Sequence, residues 1–467
     1  MRDERACGND RICRAGKCQT LGSVDCRALA SASDIANDAT VWIGAMFATE
    51  GPMATEFTGA INSVELARRD FGEISNGLPP VRPNGPTRPI GVVLCNDGAD
   101  PERAARHLVD DLGVPAILGF SRSKEVADLT QSIFNPRGVL ALASNAATLL
   151  SSLPASQGQP RMVWRTTTGA TVEAPAIAAL SQQVVEPRIR SARGAKDEPI
   201  RVALLCYDNT SGLGVSDAIV SLLRFNGKSV AENGPAFRQF SIAAIEDKEK
   251  ADVERRAQEI AAFHPQIVLD TTNGYFAVGA IERLMAPAKP TYVLASSLDQ
   301  SHIVERVKAA PELRTRLFGI ETIASTSAVA KFMLRYNEAF PARPTGLVAG
   351  APYDAFYLLA YAITAVGDQP ITGASLARAL PRLGPPGAQL DVGPGSIYRA
   401  FDLIGRGENV DLAGTITTLD FDPKTGDPTI DLAIYCLKSH KGEISPIESG
   451  MYWRGSDRKL SGEIKCP

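Results

Sequence analysis

Histidine is scarce in this sequence: His107, His264, His302 and His440 are the only four in 467 residues. They are scattered. None forms His-Glu-x-x-His or a pair four residues apart, so no histidine-based metal site is expected. Other catalytic signatures are missing too. There is no Gly-x-Ser-x-Gly elbow and no Walker-type loop. The nearest dinucleotide signal is Gly212-Leu-Gly214-Val-Ser-Asp217. It has Asp217 where the third glycine should stand, and it lies too far behind the strand ending at Cys206 for the tight turn that motif needs. The stretch Asp420 to Asp427 faintly resembles a calcium loop but lacks the glutamate at the twelfth position. It reads instead as a β-turn between strands. No catalytic residue, cofactor or metal is therefore expected. Charge of one sign is also absent. The net charge of −3 leaves no basic field for nucleic acid. No apolar run approaches the ~20 residues of a membrane helix, and Tyr353–Val366 reads as a core helix. The chain opens Met-Arg-Asp-Glu-Arg with no apolar segment behind it. Either the protein is cytosolic or a signal has been removed.

The eight cysteines favour removal. Cys7, Cys13, Cys18 and Cys26 fall among Gly, Asn, Asp, Arg and Lys, with little apolar content to bury. A segment that cannot build a core needs staples, either disulfides or a metal. Zinc is the rival reading, but Cys-x2-Cys pairing is missing. Disulfides are expected on compositional grounds, and Cys436 with Cys466 could form another bridge. Cys95 and Cys206 end apolar runs and read as small buried hydrophobes.

At 467 residues the chain is too long for one core, which stops growing at roughly 250–300 residues. From Thr40 onward it alternates strand-length apolar runs with amphipathic stretches. The runs are Val41–Met46, Ile90–Cys95, Ala116–Leu118, Val139–Leu142, Val202–Cys206, Ile267–Leu269 and Tyr292–Ala295. Each is apolar on both faces, as a buried parallel strand should be. Helical patterns lie between them, among them Glu56–Phe71, Lys124–Phe134, Val172–Val185, Gly212–Phe225 and Lys248–Phe263. One begins with Asp100 as N-cap and Pro101 at the first position. The alternation predicts βαβ units and parallel sheets. The series runs twice, separated by the charged connection Glu186–Glu198. Two later strand-like runs are expected at Gly414–Phe421 and Ile430–Leu437. The expected fold class is α/β, with two doubly wound parallel-sheet lobes behind a small cysteine-rich segment.

Polar loops of small residues follow several apolar runs: Gly119-Phe-Ser121-Arg-Ser123, Ser144-Asn-Ala-Ala-Thr148 and Asp208-Asn-Thr-Ser211-Gly212. In open α/β sheets ligands bind at the carboxyl ends of strands. Helix N-termini there offer unpaired N–H groups to a carboxylate. Ser, Thr and Asn are equally ordinary N-caps; the recurrence in two series favours a binding role.

Together these residues resemble the type I periplasmic solute-binding proteins, in particular the branched-chain amino-acid branch. The resemblance runs from about Asp38 to Lys438. It rests on Ile43-Gly-Ala-Met-Phe47, Gly51-Pro52, Glu56 to Ala60, Asn96 to Pro101, Ile117-Leu-Gly119, Ser144 to Thr148, Trp164-Arg165-Thr166, Gly350 to Asp354 and Gly414 to Asp427. It implies three hinge strands and lobes that close over a small ligand. The lobes would be 38–168 with 323–415, and 169–322 with 416–467, behind a head and linker at 1–37. The ligand's carboxylate would meet Ser121 or Ser123 with Ala146 and Thr148, and Tyr275 would form an aromatic lid. Two positions depart from the family: Ser211 replaces a frequent tyrosine, and the loop expected to carry an acidic residue reads Ser296-Ser-Leu-Asp299. Asp299 and Glu50 are the acidic candidates for an ammonium group. The resemblance implies an extracytoplasmic monomer serving the permease of an ABC importer, with a lipid anchor at a removed N-terminal segment as an option. A ligand-sensing domain with a signalling partner is the alternative.

Overall fold

The computed structural model describes residues 7–466, apart from 9, 15, 52–53, 83, 146–152, 154–157, 194–197, 209, 244–245, 273–276, 286–288, 297, 299, 324–326 and 342–348. The chain divides into two units, 1–167 with 324–429 and 168–323 with 430–467, so it passes between them three times.

The first unit is built on a six-stranded sheet. In spatial order its strands are Cys26–Leu29, Ile90–Asn96, Val41–Phe47, Ala116–Gly119, Leu140–Ala143 and Val163–Arg165. All neighbours run parallel except the first pair. All seven residues of Ile90–Asn96 are buried. Successive side chains serve different cores. Val92 and Leu94 join one cluster with Phe71, Phe356 and Tyr357, while Val93 and Cys95 join another with Leu108, Val126 and Ile133. A strand covered on both faces needs apolar residues at every position, which is why these runs do not alternate.

Helix Gly350–Val366 is buried without a break from Gly350 to Ile363. Its buried polar groups find partners except the Tyr361 hydroxyl, which has none among the described residues. Tyr353 and Tyr357 donate to the buried carboxylate of Asp70, on helix Ala54–Ser75, and the Arg335 guanidinium donates to it too. Asp354 accepts the Thr415 N–H at 2.9 and 2.8 Å from its two oxygens, and the Thr415 hydroxyl at 3.1 Å. Residues 416–429, expected in the second unit, belong to the first. Arg165 pairs with Asp427 at 3.0 Å with both side chains buried, and the Arg165 N–H donates to Gly426 O at 3.0 Å. The Asp420–Asp427 stretch is a turn. The Gly426 N–H reaches Asp422 O at 2.7 Å and the Lys424 N–H reaches the Asp422 side chain at 2.9 Å. Of the strand expected at Gly414–Phe421, only an isolated bridge from Phe421 to Pro428 forms, and the strand lies earlier, at Val410–Ala413.

The cysteine-rich segment is not a separate head. Hairpin Arg11–Arg14/Lys17–Thr20 sends Ile12 into the cluster that holds Trp42, where Leu21 joins it. Cys26–Leu29 then adds to the edge of the sheet, with Cys26 opposite Cys95. Arg103 grips Asp25 at 2.6 and 2.8 Å, and Arg14 donates to Leu112 O at 2.8 Å. The disulfides are Cys7–Cys18, Cys26–Cys95 and Cys436–Cys466. Two expectations are corrected here: Cys95 is bridged, and Cys13 is a free thiol. The strand pairing brings Cys95 directly against Cys26, which local composition does not reveal. Cys206 is a free, buried thiol.

The second unit holds an eight-stranded sheet. Phe237–Ile242, Val202–Tyr207, Ile267–Asp270, Thr291–Leu294 and Leu317–Thr322 are parallel. Leu432–His440, Glu443–Arg454 and Lys459–Gly462 continue it antiparallel. The sheet is therefore mixed rather than purely parallel. The charged connection expected at Glu186–Glu198 is helical over Glu186–Arg193, with Glu186 and Arg190 paired at 2.7 Å.

Candidate functional site

In the first unit the polar loops gather at the carboxyl ends of the parallel strands. Gly119 has φ 113° and Phe120 has φ 73°, so the chain turns sharply after strand Ala116–Gly119. A Cβ at Gly119 would stand 2.4 Å from Met46 O, so only glycine fits there. Phe120 is a bulky residue in a left-handed conformation, which costs energy unless its surroundings hold it. Its N–H donates to Met46 O at 2.7 Å, and its ring packs on Phe134 at 5.6 Å. Backbone held in this way is typical of loops that position function.

Ser121 and Ser123 are both 7% exposed. The Ser121 Oγ accepts the N–H of Ala48 at 2.7 Å, and the Ser121 N–H donates to Asp97 Oδ2 at 2.8 Å. This serine therefore ties together the loops that follow three strands. Ser123 is the first residue of helix Ser123–Leu129. Asn96 Oδ1 accepts the N–H groups of Thr49 and Gly98, each at 3.1 Å. Glu50, in the first of these loops, is exposed. Ser144 is buried and donates to Asn145 Oδ1 at 2.8 Å. Ala146 and Thr148 lie outside the described residues.

Two acidic residues that the sequence does not single out as site residues stand here. Asp97 is fully buried and Glu125 is 5% exposed. Among the described residues Asp97 Oδ1 and Glu125 Oε1 are buried with no hydrogen-bond partner. Burial, with the Asp97 charge beside it, pushes Glu125 up to about 8. Burial raises Asp97 as well, against the Ser121 N–H and hydroxyl that favour its charged form. The Arg122 guanidinium stands 3.4 Å from Glu125 Oε1, and the Arg122 N–H donates to Glu125 Oε2 at 3.2 Å. The available signal was a glutamate at the third helical position, as in a capping box.

The second unit repeats the arrangement. Tyr207 ends its strand and donates through its hydroxyl to Thr272 O at 3.0 Å. Asp270 is buried, and its Oδ1 accepts the Thr272 N–H at 2.8 Å and hydroxyl at 2.6 Å. Helix Thr210–Leu222 starts directly behind Tyr207 and contains Ser211. A Cβ on Gly212 would meet Tyr207 O at 2.4 Å, so this glycine allows the helix to approach the strand. That contact accounts for one glycine of the weak dinucleotide-like match. Tyr275 and Asp299 lie outside the described residues. Among the described residues no cluster of His, Cys, Asp and Glu could hold a metal ion, and no helix is long and apolar enough to cross a membrane.

Two α/β units, each with polar loops at the carboxyl ends of its parallel strands and joined by three chain passages, define a two-unit open-sheet class. Residues 40–396 match the periplasmic binding protein family, and the chain belongs to it. No curated protein matches significantly. Solved structures share the fold. A solute binding protein of an ABC transporter from Rhodopseudomonas palustris, in complex with 3,4-dihydroxybenzoic acid, is 17% identical with a TM-score of 0.57, covering 92% of this chain and 99% of that one. An ABC transporter substrate-binding protein from Sphaerobacter thermophilus is 15% identical with a TM-score of 0.59, covering 91% and 99%. The branched-chain amino acid transporter substrate binding protein LivJ from Streptococcus pneumoniae, in complex with isoleucine, is 15% identical with a TM-score of 0.55, covering 88% and 99%.

Proposed function

We propose that this protein is an extracytoplasmic receptor that captures a small carboxylate-bearing solute and delivers it to the permease of an ABC importer. The observation that carries the reading is family membership across residues 40–396. Three disulfides support an oxidising compartment. Two of the proteins named above are in complex with an aromatic acid and an amino acid, and both ligands carry a carboxylate. In the first unit Ser121, Ser123, Ala146 and Thr148 would serve that carboxylate, with Glu50 near them. In the second, Ser211, Tyr275 and Asp299 would complete recognition. The buried Ser121 hydroxyl already accepts the Ala48 N–H, so Ser121 would act through the shape of its loop.

A thermal-shift screen of amino acids and aromatic acids tests the ligand class. A ligand at a hundredfold excess over its Kd stabilises by about 2.7 kcal/mol. Leucine, isoleucine and valine without effect, beside an aromatic acid that raises Tm, would move the ligand to that second class. No shift with any small carboxylate would remove the proposed ligand chemistry altogether. Once a ligand is found, Thr148→Ala and Tyr275→Ala should each weaken its affinity about tenfold, roughly 1.4 kcal/mol. Unchanged affinity in both variants would overturn the site assignment.

A further inference from the structure

Two cysteines face each other on one small hairpin, and a third is bonded to it from the segment before. Strands Arg11–Arg14 and Lys17–Thr20 are antiparallel, and Cys13 stands directly opposite Cys18. Cys18 is bonded to Cys7, while Cys13 is a free thiol. The connection between Arg14 and Lys17 is two residues long, with Gly16 at φ 78°. In a two-residue hairpin the closing pair is hydrogen-bonded and the next pair is not, and residues of a non-hydrogen-bonded pair stand about 4.5 Å apart at Cα. Cys13 and Cys18 form that next pair. The same fold contains a bridge between directly opposed cysteines, Cys26–Cys95, at a Cα separation of 4.0 Å. The existing Cys7–Cys18 bond spans 5.3 Å. Both separations fall in or close to the usual disulfide range. Exposure favours chemistry on this face. Ile12 turns inward and is fully buried, Cys13 is half-buried, and Cys18 is exposed.

We infer that Cys18 alternates between two partners, Cys7 and Cys13, by thiol–disulfide exchange within the hairpin. The Cys13 thiolate attacks Cys18 Sγ. The Sγ13–Sγ18 bond forms as the Sγ7–Sγ18 bond breaks, and Cys7 leaves as a thiolate with the bonding electron pair. The proton lost from Cys13 is replaced, through solvent, by one taken up at Cys7. The number of disulfides is unchanged, so no oxidant or reductant is consumed. Exchange moves the free thiol from position 13 to position 7 and unclips the segment before the hairpin from strand Lys17–Thr20.

The experiment is disulfide mapping of the whole protein prepared without reductant. Samples are held at a series of pH values, quenched in acid, labelled with a maleimide and digested without reduction. The expected result is label on both Cys7 and Cys13, together with linked peptides of both Cys7–Cys18 and Cys13–Cys18. The approach to that mixture should quicken roughly tenfold per pH unit below the thiol pKa, because the thiolate is the attacking species. Cys206, buried, reports unfolding: it should take label only after denaturation. In a Cys7→Ser variant in oxidised glutathione, Cys13–Cys18 should form with a mass lower by two hydrogens, while Cys26–Cys95 and Cys436–Cys466 persist. Label confined to Cys13 at every pH overturns the inference. So does a Cys7→Ser variant in which Cys13 and Cys18 both remain open to label.

Discussion

Asp97 and Glu125 are both buried, and burial with the neighbouring Asp97 charge favours a protonated Glu125. An acid whose folded pKa is raised holds its proton more tightly in the native state than in the unfolded chain. Its stabilising contribution is full below the unfolded pKa and is lost as pH rises through the folded value. For Glu125 the window runs from 4.5 to about 8. Wild-type stability should therefore fall across this range, and Glu125→Gln should flatten the fall. Urea midpoints at the two ends of the window measure it; an equal drop in variant and wild type would dismiss the raised Glu125 pKa. Nothing local in the sequence announces this pair. Asn96 to Asp100 reads as an acidic turn, and Asp97 is buried where Ser121, 24 residues later, donates its N–H to it. Ser121 and Ser123 were legible as loop residues from their place after an apolar run, but the bond from Ala48 to Ser121 was not.

Among the elements, helix Thr210–Leu222 offers a contrast between two glycines two residues apart. Gly212 sits against Tyr207, whereas a Cβ at Gly214 would meet nothing within 4 Å. Gly212→Ala should push the helix from its strand and cost on the order of 1–3 kcal/mol. Gly214→Ala should be neutral or gain up to about 1 kcal/mol through helix propensity. Chemical denaturation of the two variants decides the matter, and equal effects would mean that the close approach at Tyr207 is unimportant. The parallel strands were legible because two-sided burial writes an unbroken apolar run, as in Ile90–Asn96. Phe237–Ile242 escaped notice. It is an edge strand, Arg238 and Gln239 are exposed, and its strand character comes from pairing with Val202–Tyr207. Glu186–Arg193 was read as a connection because charge obscured its helix, which the Glu186–Arg190 pair supports.

For the whole molecule, the disulfides differ in how much chain each restrains. Cys26–Cys95 closes 69 residues and Cys436–Cys466 closes 30. Chain entropy assigns them about 4.4 and 3.6 kcal/mol respectively. Replacing Cys26 and Cys95 together by alanine should therefore lower Tm more than replacing Cys436 and Cys466. Differential scanning calorimetry ranks the two, and the reverse order would locate the stabilisation in native contacts rather than in the unfolded chain. The first bridge has another consequence. Strand Cys26–Leu29 covers the outer side of Ile90–Asn96, pairing with Val92 to Cys95. Without it, a fully buried apolar strand would become an open edge with a newly unpaired thiol, the kind of surface on which other chains add as strands. The amino-terminal segment thus acts as a selvedge, the finished border that keeps a sheet from joining its neighbour. A chain lacking residues 1–30 should self-associate with rising concentration in sedimentation velocity, and a monodisperse monomer would deny the segment that role.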